Sequence, residues 1–178
     1  MVVKQDQLHV SFDLTSPTTY VVSGMGSGKS TQLVKLLGND EFKTIVCLSF
    51  RLTFTSEFAK KYDLVSYQAI KGNIKLSQHP RVIVQVDSLF RMDVSLMPDL
   101  LIVDEVESIL EKIDSSNQAW AVIFGFIQLM DKSKKVVIMD GLLEIMTIKY
   151  LNIIRKTDNF TIFHNTFMVR SDYQLSLY

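Results

Sequence analysis

The sequence predicts a three-layer α/β domain with a mainly parallel central sheet. Two observations carry this. Short apolar, β-branched runs alternate with helical stretches from Tyr20 onward, as in successive βαβ units. The runs are also apolar almost without interruption, which implies helices on both faces of the sheet. A chain of 178 residues suits one globular unit, so residues 1–178 are read as a single domain.

The expected strands fall near residues 19–22, 44–48, 63–66, 82–86, 100–103, 136–139 and 160–166. Residues 29–37 read as a helix stopped by Gly38, and residues 53–62 as a second short crossover helix. Residues 119–130 are apolar almost all round, through Trp120, Val122, Phe124 and Phe126. They belong in the core or, failing that, against something absent from this chain. Pro17, Pro80 and Pro98 each stand shortly before a strand, where a fixed φ and a missing donor do little harm. Residues 168–178 show no clear period and read as the edge of a domain cut from a longer protein.

Composition narrows the function. Nineteen basic and nineteen acidic side chains cancel, so any contact with nucleic acid needs a local basic patch. Cys47, the single cysteine, sits in an apolar run and reads as a core thiol. His9, His79 and His164 read as ordinary loop or strand residues. Such a set supplies neither a thiolate zinc site nor a disulfide framework and fits a reducing, intracellular compartment. No signal peptide or membrane-spanning stretch is expected.

Two motifs carry the chemistry. The strand at Tyr20-Val21-Val22 runs into Ser23-Gly24-Met25-Gly26-Ser27-Gly28-Lys29-Ser30-Thr31 and then into a helix, the context that a Walker A phosphate loop requires. Gly26 and Gly28 let the backbone curl so that its N–H groups and the helix N-terminus hold a β-phosphate. Lys29 would reach the β- and γ-phosphates, and the Ser30 hydroxyl would bind Mg²⁺. Ser23 stands where the widest form of the motif has glycine, leaving the form used by superfamily 2 helicases.

The second motif, Asp99-Leu100-Leu101-Ile102-Val103-Asp104-Glu105-Val106-Glu107, is a Walker B strand. Asp104 would hold Mg²⁺ through water, and Glu105 would polarise the attacking water and take its proton. Glu107 and Glu111 read as solvated or interface residues. Together the two motifs predict ATP and Mg²⁺ as ligands.

The chain resembles the herpesvirus-type replication-origin-binding helicases of superfamily 2. Met25-Gly26-Ser27-Gly28-Lys29 looks like motif I, and Ser49-Phe50-Arg51-Leu52-Thr53-Phe54-Thr55 like motif Ia. Residues 65–72 and 79–91 are similar to the motif Ib region, Asp104-Glu105-Val106-Glu107-Ser108 to motif II, and Met139-Asp140-Gly141-Leu142-Leu143 stands where motif III belongs. The resemblance implies a RecA-like ATP-binding lobe that works on single-stranded or forked DNA beside a second RecA-like lobe, in the same parent chain or a partner.

It further implies that Ser49, Arg51, Ser88 and Arg91 line a DNA path, where hydroxyls and guanidinium groups suit phosphate oxygens. Each arginine has a plainer alternative as a surface side chain or internal pair, and Lys71 and Arg81 are weaker candidates. Asp140 reads either as a link between hydrolysis and DNA movement or as a plain strand-ending turn. Without its second lobe the chain is expected to hydrolyse ATP slowly. Two rival readings are a P-loop nucleoside or nucleotide kinase and a non-enzymatic nucleotide-binding interaction module.

Overall fold

A computed structural model describes residues 1–6, 9–24, 26–38, 40–50, 59–93, 95–115 and 119–167, with Ser30 and Ala119 described by backbone alone. The strands are β1 (Val2–Gln5), β2 (Thr18–Ser23), β3 (Ile45–Ser49), β4 (Val65–Ser66), β5 (Arg81–Gln85), β6 (Leu100–Asp104), β7 (Lys135–Asp140) and β8 (Phe160–Asn165). The helices are α1 (Lys29–Leu37), α2 (Val106–Asp114), α3 (Ala119–Lys132) and α4 (Ile145–Arg155), with 3-10 turns at Tyr67–Ala69 and Val86–Arg91.

One sheet holds all eight strands in the order β1-β8-β2-β7-β6-β3-β5-β4. Every pairing among them is parallel. All strand C-termini therefore share one edge of the sheet, which is where the loops of a parallel sheet can meet.

Alternate residues of the strands feed two separate cores. Val46, Leu48, Val84, Leu101, Val103 and Ile138 pack with Ile109, Phe126 and Leu151 from α2, α3 and α4. Ile45, Cys47, Ile83, Ile102, Val137 and Met139 pack with Leu33 and Leu37 of α1 and with Tyr62. Helices thus cover both faces, as the continuous apolar runs require. Each fully buried leucine or isoleucine contributes about 1.5–3 kcal/mol relative to exposure. Cys47 is buried, and desolvation first, then the nearby Asp104 charge, pushes its thiol pKa up.

The edge opposite the strand C-termini is tied by backbone. The carbonyls of Pro17, Pro80 and Pro98 accept from Val136 (3.0 Å), Ile45 (2.7 Å) and Lys134 (3.3 Å). Prolines that lack a donor still offer an acceptor, and each one anchors the start of a neighbouring strand. Asp99 adds a side-chain clamp, accepting from the Lys43 and Thr44 amides (3.0 and 2.9 Å) and from Lys134 Nζ (2.6 Å). The buried Arg155 closes the same edge by donating to the Ser133 carbonyl (2.8 Å), the Met130 carbonyl and Thr18 Oγ1 (3.1 Å).

Several expectations need adjustment. The expected strand at 63–66 contracts to Val65–Ser66, because Asp63 takes a left-handed φ of 53° and the Leu64 amide returns to the Ala59 carbonyl. Residues 59–62 are helical, and the remainder of the helix expected at 53–62 lies outside the described residues, as does the tail 168–178. Strand β1 and helices α2 and α4 were not expected. Helix α3 is only half core: Val122 and Phe126 are buried, while Trp120 is 86% and Phe124 57% exposed.

Candidate functional site

The loop after β2 is built by its glycines. Gly26 and Gly28 hold φ of 77° and 75°, values that cost any other residue about 1–2 kcal/mol. Ser27 is buried and its hydroxyl donates to the Gly24 carbonyl at 2.7 Å. The Thr31 and Gln32 amides reach back to the Gly28 carbonyl (2.9 and 3.2 Å), starting α1 at the end of the turn. Lys29 Nζ folds over the loop and donates to the carbonyls of Ser23 (2.5 Å) and Gly24 (3.5 Å).

Ser23 is 1% exposed, and its buried hydroxyl has no hydrogen-bond partner among the described residues. A curled glycine backbone, a lysine held over it and an orphaned hydroxyl at its root make a concavity suited to an anion. Gly24 has open space where a side chain would project. Met25 and the Ser30 side chain lie outside what the structure describes, and the Thr31 side chain is exposed.

Register brings the acidic residues to the same edge. Val22 pairs with Asp140, and Asp104 pairs with Met139, so β2, β7 and β6 end side by side. The half-buried Asp104 carboxyl is pushed up to about 6, first by desolvation and further by Glu105 and Asp140, against the lowering effect of Lys29. A carboxylate under such pressure gains from any added cation. The fit to a divalent metal therefore rests on Asp104. Among the described residues no group of three or more metal-ligating side chains is present.

Glu105 occupies a strained position, with φ 58° and ψ 58° at the start of α2. Its amide donates to the Met139 carbonyl (2.9 Å), and its carbonyl accepts from Ile109 (3.1 Å). Non-glycine residues held in the left-handed region concentrate at functional sites.

Asp140 and Glu107 continue the acidic cluster as helix caps. Asp140 Oδ2 accepts from the Glu107 amide (3.0 Å) and Oδ1 from the Leu142 amide (3.1 Å). Glu107 Oε1 accepts from the Glu144 amide and Oε2 from Thr147 Oγ1, both at 3.0 Å. The expectation of a solvated or interface Glu107 is therefore corrected: its carboxylate caps α4. Asp140 is the strand-ending turn and also a physical link between β7 and α2. Glu111 is exposed.

The four residues expected along a DNA path separate. Ser49 ends β3 and is buried. Ser88 is half-buried on the 86–91 turn, and Arg51 lies outside the described residues. The Arg91 guanidinium holds the Gly72 carbonyl (2.8 Å), the Tyr67 carbonyl (3.4 Å) and the Ile70 carbonyl. Its donors shape the 67–72 segment. Arg81 similarly donates to the Leu37 carbonyl at 2.6 Å, ending α1. In both arginines the partners are backbone carbonyls.

One residue of the site gave no sequence signal. A Cβ added to Gly28 would lie 2.5 Å from His9 Nδ1, so the His9 ring sits directly against the loop. Its distance in sequence from the glycine run hides the contact.

The chain matches the family model described as "Origin of replication binding protein" over residues 1–173. It is 32% identical over 143 residues to a putative replication origin-binding protein of Acanthamoeba polyphaga mimivirus, covering 70% of this chain and 18% of that protein. Similarity to a putative helicase/primase complex protein of African swine fever virus is 34% over 136 residues, covering 70% and 13%. The replication origin-binding protein of Human herpesvirus 6B is 27% identical over 175 residues, covering 94% and 22%.

The matches thus span less than a quarter of the length of these relatives. Among solved structures, S. cerevisiae Dbp5 bound to Nup159, Gle1, IP6 and ADP superposes with a TM-score of 0.53 at 15% identity, covering 82% of this chain and 43% of that one. That likeness establishes the RecA-like, three-layer fold. From residue 1 to residue 173, this chain belongs to the origin of replication binding protein family.

Proposed function

We propose that the chain is the ATP- and Mg²⁺-binding lobe of a superfamily 2 DNA helicase of the origin-binding type. The observation that carries the reading is the convergence of three features at one sheet edge: the curled loop with Lys29 folded over it, the pushed-up Asp104 carboxyl, and the strained Glu105 beside it. Residues 23–31 cradle the phosphates. Lys29 leaves the Ser23 and Gly24 carbonyls to meet the β- and γ-phosphate oxygens.

Ser30 and Asp104 would hold Mg²⁺, which would supply charge neutralisation to the phosphates. Glu105 orients the attacking water and accepts its proton. Asp140, joined to α2 through the Glu107 amide, carries any shift at the carboxylates toward residues 141–144. Ser88 faces a strand of DNA as a backbone-positioning hydroxyl, and Arg91 holds the 67–72 segment in shape.

Hydrolysis at speed needs a cationic side chain on the far side of the phosphates, supplied by a second RecA-like lobe. The setting is an intracellular site of DNA replication. No helix among the described residues is long and apolar enough to cross a membrane.

The experiment is ATP turnover by the 178-residue chain and by a longer polypeptide that also carries a second RecA-like lobe, each with and without single-stranded DNA. DNA-stimulated turnover confined to the longer polypeptide and abolished by Lys29→Ala is the expected result. Turnover indifferent to both DNA and added length removes the motor reading.

A further inference from the structure

The neighbouring strands β3, β5 and β4 end at one edge of the sheet, and buried side chains join the segments that leave them. Ser49, the last residue of β3, pairs with Gln85, the last residue of β5. Gln85 is 9% exposed, and Tyr67, which directly follows β4, is 6% exposed. The Tyr67 hydroxyl donates to Gln85 Oε1 at 2.7 Å, and Gln85 Nε2 donates to the Phe50 carbonyl at 3.2 Å.

The chemistry of the groups gives this relay a direction. A phenol has one proton to donate, and burial, the foremost cause, raises the pKa of this one, so the hydroxyl stays a donor at neutral pH. With Oε1 turned to the hydroxyl, the amide nitrogen faces Phe50. The Phe50 carbonyl belongs to the planar peptide that leads to residue 51, so the bond to it fixes the direction in which the chain leaves β3. Arg91 completes the set by holding the carbonyls of Tyr67, Ile70 and Gly72.

An apolar pair of similar volume would fill the same space with no polar groups to desolvate. What a satisfied polar network adds is a single specified arrangement. Here it specifies how the segment beginning at Phe50 stands relative to the 67–72 and 86–91 segments. Three strands, β3, β6 and β7, separate β5 from β2 and its phosphate loop, so the relay has no part in holding nucleotide.

Resting on the proposed DNA path, we infer that Gln85 and Tyr67 are positioning residues for single-stranded DNA. They touch no DNA themselves. They set the spacing of the three segments so that the phosphate-contacting groups on them meet one strand together.

The test is fluorescence anisotropy of a labelled oligothymidylate with the 178-residue chain over a series of salt concentrations. Mg²⁺-ADP binding by calorimetry and urea unfolding are measured on the same proteins. Gln85→Met should weaken the oligothymidylate by about tenfold or more and lower the slope of log affinity against log salt by about one, the loss of roughly one phosphate contact. Its affinity for Mg²⁺-ADP should change by less than about twofold.

The double variant Tyr67→Phe/Gln85→Met separates positioning from stability. It leaves neither a phenol nor an amide buried without a partner, so its urea midpoint should return toward that of the parent chain, while its DNA affinity and salt slope stay low. DNA affinity that recovers together with stability overturns the inference, as does an equal loss of ADP and DNA in either variant. A parent chain whose oligothymidylate binding is absent or indifferent to salt removes the DNA path itself. Salt-dependent binding by the parent that both variants retain in full removes only the roles of Gln85 and Tyr67.

Discussion

Asp140 Oδ2 accepts the backbone N–H of Glu107 at 3.0 Å, so the last residue of β7 caps the helix that begins beside Asp104 and Glu105. The Glu107 side chain then accepts from Glu144 and Thr147 at the start of α4. Two carboxylates thereby connect two strand ends and two helix N-termini in series. Negative charge at a helix N-terminus is favourable in its own right.

Asp140→Ala should lower stability by about 1 kcal/mol, the usual cost of a lost N-terminal cap, and Asp140→Asn by less than half of that. Urea unfolding reads both. If Asp140 also couples the site to residues 141–144, DNA-stimulated turnover of the longer polypeptide should fall by about tenfold or more in Asp140→Asn, well beyond its stability loss. Turnover falling only in step with stability would leave Asp140 as a cap and nothing else.

Asp104 makes a pH prediction. Its carboxyl stands at about 6 in the folded chain, against about 3.9 when unfolded. The native state holds the proton more tightly, so the associated stability is fully present below about pH 4 and is lost as pH rises through about 6. Asp104→Asn should therefore be more stable than the parent chain by about 3 kcal/mol at pH 8, with the difference vanishing near pH 4. If Asp104 holds Mg²⁺ as proposed, the same protonation competes with the metal, and Mg²⁺ affinity should fall steeply below about pH 6.

Much of this site was legible because its chemistry depends on closely spaced residues. The strand, glycine loop and Lys29 lie within one short run, and the buried parallel strands announce themselves by unbroken apolarity. Strand β1 was hidden because its residues alternate between exposed and half-buried and, among the described residues, it pairs only with β8. Helix α4 was hidden because apolar residues point both ways: Leu151 is fully buried, whereas Ile145 and Ile153 are 73% and 74% exposed.

The roles of Arg81, Arg91 and Arg155 were beyond sequence reading for another reason. Their guanidinium chemistry is plain, but their partners are carbonyls from remote segments, and any backbone offers those. Glu107 shows the same limit, since its acceptors meet donors on a helix that lies far along the chain.

Asp99 predicts the acid behaviour of the opposite edge. The Lys134 ion pair first, then the Thr44 donors, hold its carboxyl down to about 2 against the opposing effect of desolvation. Its stabilising contribution is present above about pH 4 and is lost as pH falls through about 2. Asp99→Asn should cost about 1–2 kcal/mol at pH 7, discounted because the Lys134 partner is 77% exposed. In acid titrations followed by circular dichroism, the gap between the two proteins should close between about pH 4 and pH 2. A constant gap across that range would place the effect in lost packing and not in the charge.

Gly125 predicts the stiffness of the turn that carries Ser88 and Arg91. In a helix, alanine is intrinsically better than glycine by about 1 kcal/mol, so Gly125→Ala would stabilise α3 if nothing stood near it. A Cβ there would instead lie 3.0 Å from the Leu89 carbonyl oxygen and 3.3 Å from Leu89 Cβ. That carbonyl also accepts from the Met92 amide at 3.0 Å, which restrains its retreat. The close approach should win, and Gly125→Ala should lose about 1–3 kcal/mol in urea unfolding. Gly141→Ala is the control, because its added Cβ meets only the Ser23 carbonyl at an ordinary 3.9 Å, and its stability should change by less than about 0.5 kcal/mol. Gain of stability in Gly125→Ala would mean that the 86–91 turn yields to α3, and that Ser88 is not held rigidly at the sheet edge.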